Sequence, residues 1–125
     1  MIKQESLPAQ VYDKLKLALD LRRFTVESIY RGNAFRVSGR GNDTNIYIRI
    51  EYREGHKCVN FSTIYIDERF RRRGFLTSIV NHVASANDVD TIIIGGVCTE
   101  EMRNWCAKYD FKLMSTYGYD YYKEV

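Results

Sequence analysis

The sequence predicts an α/β protein in which helices flank a mixed, mainly antiparallel central sheet. Apolar and polar residues alternate between residues 24 and 66, which indicates consecutive antiparallel strands. After residue 74, helical and strand patterns take turns, which is typical of a right-handed strand–helix–strand unit with one parallel pair. A chain of 125 residues without a low-complexity linker predicts a single domain over residues 1–125.

The first element is an amphipathic helix. Between Leu7 and Arg22, apolar residues such as Val11 and Leu15 recur at spacings of three and four. Ser6 precedes Pro8 and provides a side-chain oxygen suited to an N-cap. The pattern therefore predicts a helix over residues 7–22.

Three or four antiparallel strand segments follow. The stretch "FTVESIYRGNAFRVSGR" is rich in β-branched and aromatic residues, and Arg31–Asn33 predicts a hairpin turn within it. In "NIYIRIEYREG" the isoleucines share one face, while the charged residues share the other. A turn at Glu54–Lys57 then leads into a strand at Cys58–Ile66.

The second half alternates helices and strands. Apolar spacing predicts a helix over Gly74–Ala86, and "DTIIIGGV" predicts a short strand buried on both faces. Thr99 with two acidic residues after it predicts the start of another helix, which runs to Tyr109. The tail "DFKLMSTYGYDYYKEV" predicts one or two closing strands. Its alternating tyrosines indicate either a hydrated edge strand or the wall of an acceptor site or interface: Tyr117, Tyr119 and Tyr121.

Composition disfavours several functional classes. A net charge of +3 and a pI of about 8.8 make the chain only mildly basic, whereas nucleic-acid-binding domains carry denser basic stripes. No apolar run approaches the roughly 20 residues that cross a bilayer, and "MIKQESLPAQ" lacks the apolar core of a signal peptide. We therefore predict a cytoplasmic protein with no membrane segment. Three scattered cysteines indicate free thiols, and no metal site is predicted.

One basic stretch stands out. Four of the five residues from Arg69 to Arg73 are arginines, and Gly74 follows them between a predicted strand and a predicted helix. The start of a helix presents unpaired N–H groups and a positive dipole end, and such a site binds phosphate. Arginines add charge and bidentate contacts. Taken alone, the stretch indicates either a phosphate-binding loop or a solvated run of charge.

The stretch "IYIDERFRRRGFLTSIV" resembles the acetyl-CoA pyrophosphate loop of the GNAT acetyltransferase family, whose pattern is Q/R-x-x-G-x-G/A. That pattern falls on residues 71–76. Leu76 stands where Gly or Ala is usual, and its side chain either narrows the pyrophosphate site or points into the core between helix and sheet.

A second stretch, "TEEMRNWCAKYDFKL", resembles a later helix of the family, with Trp105, Cys106 and Phe111 at pattern positions and Asp110 in place of Gly. The resemblance covers about Cys58 to Lys123, and it describes a short, divergent member.

The resemblance implies that acetyl-CoA lies where two central parallel strands, Val59–Ile66 and Thr91–Val97, splay apart. The pantetheine arm would pair with the main chain of one strand, and the phosphates would lie at the helix start. The implied cofactor-binding residues are Ile64, Tyr65, Ile66, Arg71, Arg72, Arg73, Gly74, Phe75, Leu76 and Thr77.

The resemblance also implies direct attack by an amine on the thioester, assisted by a base and by an acid that protonates the leaving thiolate. Base candidates are Glu51, Asp67, Glu68 or water. Cys106 stands where the family has the tyrosine that acts as the general acid. Tyr109 lies nearly one helical turn further on. Each of these residues also has an ordinary structural explanation as a surface charge or a core side chain.

We therefore expect an N-acetyltransferase that uses acetyl-CoA on an amine of a protein or a small molecule. The alternative is an inactive module of the same fold that binds a protein or nucleic acid. Nucleic-acid binding is not favoured, because it needs basic surface beyond the loop. Monomer and homodimer remain open. The arginines that would have to converge with the loop are Arg22, Arg23, Arg36 and Arg40.

Overall fold

The structure is a computed structural model that describes residues 6–115 and 118–125. Its helices are α1 (Leu7–Ala18), α2 (Phe75–Ala84) and α3 (Glu100–Lys108). The strands are β1 (Phe24–Ile29), β2 (Ala34–Gly39), β3 (Asn45–Arg53), β4 (His56–Tyr65), β5 (Thr91–Ile94), β6 (Lys112–Leu113) and β7 (Tyr121–Glu124).

The described strands form one seven-stranded sheet in the order β1-β2-β3-β4-β5-β7-β6. Only β4 and β5 run parallel, and α2 connects them, whereas every other neighbouring pair is antiparallel. The predicted mixed sheet with its central parallel pair is confirmed.

Helix α1 starts where the sequence predicts and ends earlier. The Ser6 side chain accepts a hydrogen bond from the main-chain N–H of Ala9 at 3.4 Å. The helix stops at Ala18 because Asp20 forms a turn: its carboxylate accepts from the Arg22 N–H at 3.0 Å and its carbonyl from Phe24 at 3.0 Å. The predicted end at Arg22 is therefore wrong, and the turn directs the chain into β1.

The hairpins on either side of the β2–β3 pair differ in how they turn. A short 3₁₀ turn at Tyr30–Gly32 joins β1 to β2. Only Glu54 and Gly55 join β3 to β4, with φ angles of 50° and 82°. Two successive positive φ angles are typical of a type I′ turn, whose twist matches the flanking strands. This turn is shorter than the predicted Glu54–Lys57.

All three helices pack against one face of the sheet. Side chains from α1, α2 and α3 join one core with alternate residues of the central strands, including Ile48, Phe61 and Ile92. The intervening residues point to the other face, which no described helix covers and which we call the helix-free face. Its residues include Arg49, Glu51, Asn60, Ser62 and Ile93.

The tyrosine-bearing strand of the tail is not an edge strand. Strand β7 lies between β5 and β6, so the prediction of an edge strand is wrong. Tyr121 packs partly against the core, while Tyr119 precedes the strand and is 65% exposed. Tyr117 lies outside the described residues.

Asp67 organises the connection from β4 to α2. Its carboxylate accepts hydrogen bonds from the Arg69 side chain at 3.1 Å and from the main-chain N–H of Asp43 at 2.9 Å. Its own N–H donates to Thr44 Oγ1 at 3.1 Å. The Arg69 side chain, followed by the main-chain N–H groups of Asp43 and Arg69, holds the pKa of Asp67 well below its ordinary value. Asp67 thereby ties this connection to the β2–β3 loop.

We expect this carboxylate to make stability depend on pH. Because the pKa of Asp67 is lower in the folded than in the unfolded chain, its contribution is complete above about pH 4 and is lost as the pH falls further. In urea unfolding at pH 7, 5 and 3, Asp67→Asn should be less stable than the wild type at pH 7, and the difference should shrink at pH 3. Glu68→Gln, at an exposed neighbouring carboxylate, is the control. A difference that stays constant with pH would contradict this account.

Candidate functional site

Strands β4 and β5 pair over a short distance and then separate. Their pairing runs from Cys58 opposite Thr91 to Phe61 opposite Ile94, and the Gly95 N–H donates to the Phe61 carbonyl at 2.8 Å. Strand β5 ends there, whereas β4 continues to Tyr65. From residue 62 to 65, therefore, no described strand pairs with β4 on this side, and its main chain forms an unpaired edge.

A β-bulge in β4 lies beside this edge. Tyr47 of β3 lies opposite Ser62, but Asn45 lies opposite Tyr65, so β4 has one extra residue. Thr63 within this interval has a φ of 48°. A bulge bends its strand and redirects the side chains that follow. Because Thr63 is not a glycine, the sequence carried no signal for this bend.

Helix α2 begins beyond the unpaired edge, at a glycine. Gly74 is the N-cap, with φ of 75°, and no atom lies within 4 Å of where a Cβ would stand. The first N–H groups of any helix lack partners within it, and here these belong to Phe75, Leu76 and Thr77. The helix start is therefore open to a ligand that accepts hydrogen bonds.

The loop arginines do not behave alike. Arg69 pairs with Asp67 and also donates to the Gly41 carbonyl at 2.8 Å. Arg72 has its Nε 3.9 Å from a carboxylate oxygen of Glu101. Within the described part of the chain, no carboxylate lies within 4.0 Å of Arg71 or Arg73.

Arg71 closes over the end of β4. Its Nε donates to the Ile66 carbonyl at 2.7 Å, and its guanidinium carbon lies 5.2 Å from the centre of the Tyr65 ring. A cation is therefore fixed at the point where the unpaired edge meets the arginine loop.

An open cleft of about 320 Å³ lies between the start of α2 and helix α3. Trp105 Nε1 donates to Thr77 Oγ1 at 3.1 Å, which joins the two helices. Of the predicted cofactor-binding residues, Ile64, Tyr65 and Arg73 do not line the cleft. Those that do are Ile66, Arg71, Arg72, Gly74, Phe75, Leu76 and Thr77.

Leu76 points into the core. It is 5% exposed and belongs to the buried cluster between helices and sheet, although part of it also borders the cleft. Of the two alternatives at this position, the structure shows the second. Its bulk fills space between α2 and the sheet and does not block the open start of the helix.

The two candidates for the acid are placed differently. Tyr109 is half-buried and lines the cleft, where its ring contacts that of Trp105 at a centroid distance of 5.1 Å. Cys106 is fully buried, and burial raises the pKa of its thiol to about 11. Cys106 does not line the cleft. Its position argues against the predicted role and favours the structural explanation.

Glu51 lies on the helix-free face among cations. Its carboxylate accepts from Arg49 Nε at 2.9 Å, Arg53 Nε at 2.6 Å and Asn60 Nδ2 at 3.0 Å. Burial raises the pKa of Glu51, but the hydrogen bonds from Arg53, Arg49 and Asn60 outweigh burial and lower it overall. A carboxylate held by two arginines is a weak base.

The other arginines converge only in part. The Arg40 N–H donates to the Arg23 carbonyl at 2.7 Å, and Arg69 reaches the adjacent Gly41, so these three lie near one another. Arg36, however, alternates with core residues of β2 and lies on the helix-free face. The contacts described here therefore group Arg23 and Arg40 with Arg69 and do not include Arg36.

Sequence analysis did not single out Asn60, Gly95 and Asp120, which surround the point where β4 and β5 separate. They come from three distant segments, and only the pairing register brings them together. Among the described residues, no three His, Cys, Asp or Glu side chains are grouped to hold a metal ion. Nor does any helix in those residues have the length and apolar character to span a bilayer.

Comparison with known proteins gives structural relatives only. No protein-family profile matches the sequence, and no curated protein matches it. Ard1 from Thermoplasma volcanium is 14% identical, with a TM-score of 0.53 over 100% of this chain and 97% of that one. An acetyltransferase from Thermus thermophilus is 15% identical, with a TM-score of 0.53 over 99% of this chain and 78% of that one.

A third solved structure contains a mutant of the AtaT toxin bound to the C-terminus of the antitoxin AtaR and to acetyl-CoA. It is 11% identical, with a TM-score of 0.51 over 73% of this chain and 66% of that one. At these identities the likeness is one of fold. Together with the parted parallel strands and the glycine at the start of α2, it leads to one conclusion: the chain has the fold of the GNAT acetyltransferases.

Proposed function

We propose that this protein is an N-acetyltransferase that transfers an acetyl group from acetyl-CoA to an amine of a protein or small molecule. The observation that carries the proposal is the unpaired edge of β4 beside the open start of α2. This juxtaposition offers main-chain hydrogen bonds and phosphate-binding groups along one continuous path. The AtaT structure, which shares the fold, contains acetyl-CoA.

The start of α2 suits the phosphates of CoA. Gly74 leaves the main chain approachable, and three N–H groups of the first turn are open to an anion. Arg71 and Arg73 add positive charge that no described carboxylate neutralises. A pyrophosphate and a 3′-phosphate together need several donors and cations, and this loop has both.

The unpaired edge suits the amide-bearing arm of CoA. Main-chain groups from residue 62 to 65 have no strand partner on the β5 side, so an extended ligand can pair with them. When bound there, acetyl-CoA supplies an activated acetyl thioester. A main-chain N–H of β4 would polarise its carbonyl group and stabilise negative charge on the oxygen.

Transfer then requires one bond to form and another to break. The neutral amine nitrogen bonds to the carbonyl carbon and releases a proton to water, the carbon–sulfur bond breaks, and the thiolate takes a proton. Tyr109 is the candidate donor because it lines the cleft and carries an O–H group. Glu51 fits the base role poorly, because the hydrogen bonds from Arg49 and Arg53 lower its pKa and so weaken its affinity for a proton.

The position of Cys106 supports the second candidate function. A buried thiol replaces the tyrosine that acts as the general acid in the family. Such a replacement is expected in a module that keeps the fold and binds a partner without catalysis. That function predicts no acetyl transfer to any amine, even when acetyl-CoA binds.

Gly74→Val tests the helix start, with Gly55→Val as its matched control. Both glycines have positive φ and open surroundings, so each substitution should cost about 1–2 kcal/mol of stability. Only Gly74 lies at the start of α2, so calorimetric titration should show acetyl-CoA binding about tenfold weaker in that variant alone. Equal affinity in the two variants would contradict the proposed phosphate site.

Arg73→Glu tests the charge of the loop, with Arg36→Glu on the helix-free face as control. Both variants change the net charge equally, but only Arg73 adjoins the helix start. We expect the Kd for acetyl-CoA to rise at least about tenfold in Arg73→Glu and to stay unchanged in Arg36→Glu. If the wild type does not bind acetyl-CoA at millimolar concentration, the acetyltransferase proposal is wrong.

Tyr109→Phe tests the proton donor. Loss of a general acid costs about 10²-fold or more, so kcat measured by thiol release should fall by that amount while acetyl-CoA affinity is retained. Cys106→Ala, in parallel, should mainly reduce stability because it opens a cavity in the core. A larger loss of kcat in Cys106→Ala than in Tyr109→Phe would reverse the assignment.

A further inference from the structure

The hydroxyl of Thr77 has one unused hydrogen-bond donor. Its Oγ1 accepts a hydrogen bond from Trp105 Nε1 at 3.1 Å. Because an indole N–H only donates, Thr77 Oγ1 must be the acceptor in this bond, and its own proton needs a different partner. A threonine in a helix often donates to a carbonyl one turn earlier, but no acceptor among the described residues receives this proton. The O–H is therefore left for solvent or a ligand.

This donor lies at the open start of α2. Thr77 is the third residue of the helix, so its main-chain N–H is one of those without a partner in the first turn. Side chains in a helix lean toward its N-terminus, which brings the hydroxyl toward the same end as these N–H groups. Thr77 also lines the cleft of about 320 Å³, together with Gly74 and Arg71. An anion at the helix start would therefore meet a side-chain donor as well as main-chain donors.

The indole that holds this hydroxyl is itself held in place. Trp105 is half-buried and packs partly against the core. Its ring contacts those of Tyr109 and Phe111 at centroid distances of 5.1 and 5.3 Å. A threonine hydroxyl otherwise has several rotamers, and its proton rotates to suit any partner. A fixed N–H on one side of Oγ1 favours the rotamer that meets it and turns the hydroxyl proton away from the indole.

We propose that Trp105 is a positioning residue for the phosphates of acetyl-CoA: its indole N–H orients the Thr77 hydroxyl, whose O–H donates to a phosphate oxygen. The proposal rests on the acetyltransferase function above and deepens it, because it makes α3 contribute to phosphate recognition at the start of α2. A hydroxyl that already accepts a hydrogen bond is a stronger donor, since the bonds in a chain polarise one another. Trp105 thus acts through Thr77 and not through its own contact with the ligand.

A double-mutant cycle tests whether the two residues act together. Trp105→Phe keeps an aromatic ring and removes the N–H, whereas Thr77→Val keeps the shape and removes the hydroxyl. Calorimetric titration of acetyl-CoA into the full-length protein should give a Kd about tenfold higher in Thr77→Val, because a hydrogen bond to a charged group is lost. Trp105→Phe should raise the Kd about threefold, and the double variant should match Thr77→Val alone.

A purely structural role for Trp105 predicts a different result. If the indole only supported α3, Trp105→Phe would raise the Kd by the same factor whether position 77 is threonine or valine. Additive effects of this kind, or an unchanged Kd in Thr77→Val, would overturn the proposal. Thr77→Ser, which keeps a hydroxyl, is the matched control: it should bind acetyl-CoA within about twofold of the wild type and remain sensitive to Trp105→Phe. Circular dichroism confirms that each variant is folded.

The hydrogen bond itself has a readout that does not depend on binding. Nitrogen-15 NMR of the Trp105 indole N–H measures its exchange with water, which a hydrogen bond slows. In the ligand-free protein this N–H should exchange at least about threefold faster in Thr77→Val than in the wild type or in Thr77→Ser. Equal exchange rates in all three proteins would mean that the bond does not hold in solution, and the proposal would be wrong.

The titration of the wild type separates this proposal from the acetyltransferase function. If acetyl-CoA binds but the effects of Trp105→Phe and Thr77→Val are additive, Trp105 is not a positioning residue and the acetyltransferase proposal stands. If acetyl-CoA does not bind at millimolar concentration, the acetyltransferase proposal fails, and the role of Trp105, defined here toward the phosphates of that ligand, fails with it.

Discussion

The architecture of this protein depends on the point at which two parallel strands stop pairing. Four residue pairs, from Cys58–Thr91 to Phe61–Ile94, hold β4 and β5 together. One further bond from Gly95 ends the contact, and the bulge at Thr63 bends β4 beyond it. Because backbone groups in a sheet normally find partners, an edge left open at the centre of a sheet indicates a place for a ligand. The cleft between α2 and α3 begins beyond the far end of this open edge, where Ile66 and Arg71 line it.

Some arginines of the loop before α2 stabilise the fold, whereas others are available to a ligand. The Asp67 carboxylate accepts hydrogen bonds from the Arg69 side chain and from the β2–β3 loop, so this arginine stabilises the fold. Arg71 is directed by the Ile66 carbonyl, while Arg73 has no carboxylate near it in the described chain. The four arginines look alike in the sequence but have different surroundings. Arg69 pairs with Asp67, Arg72 lies near Glu101, and Arg71 and Arg73 have no carboxylate within 4.0 Å among the described residues. These differences follow from which oxygen atoms the fold brings within reach.

Most of the fold is predictable from the sequence, and much of the site is not. Periodicity identified every helix and the main strands, because it reports which side chains face a common core, as with Ile46, Ile48 and Ile50. It missed the end of α1, where the Asp20 side chain accepts a hydrogen bond from the Arg22 N–H and forms a turn in place of further helix. It also missed the bulge at Thr63, because the bulge arises from pairing between distant segments. Such register has no local signature.

The hydrogen bond between Trp105 and Thr77 has a practical consequence. Trp105 is the only tryptophan in the sequence, and its indole lines the cleft and makes tilted contacts with the rings of Tyr109 and Phe111. The N–H of that indole is tied to the first turn of α2, the turn that would receive an anion. The fluorescence of Trp105 should therefore change when water gains or loses access to the indole, or when the distance between α2 and α3 changes. Occupancy of the cleft can be followed in the unlabelled protein, in real time, without a substrate assay.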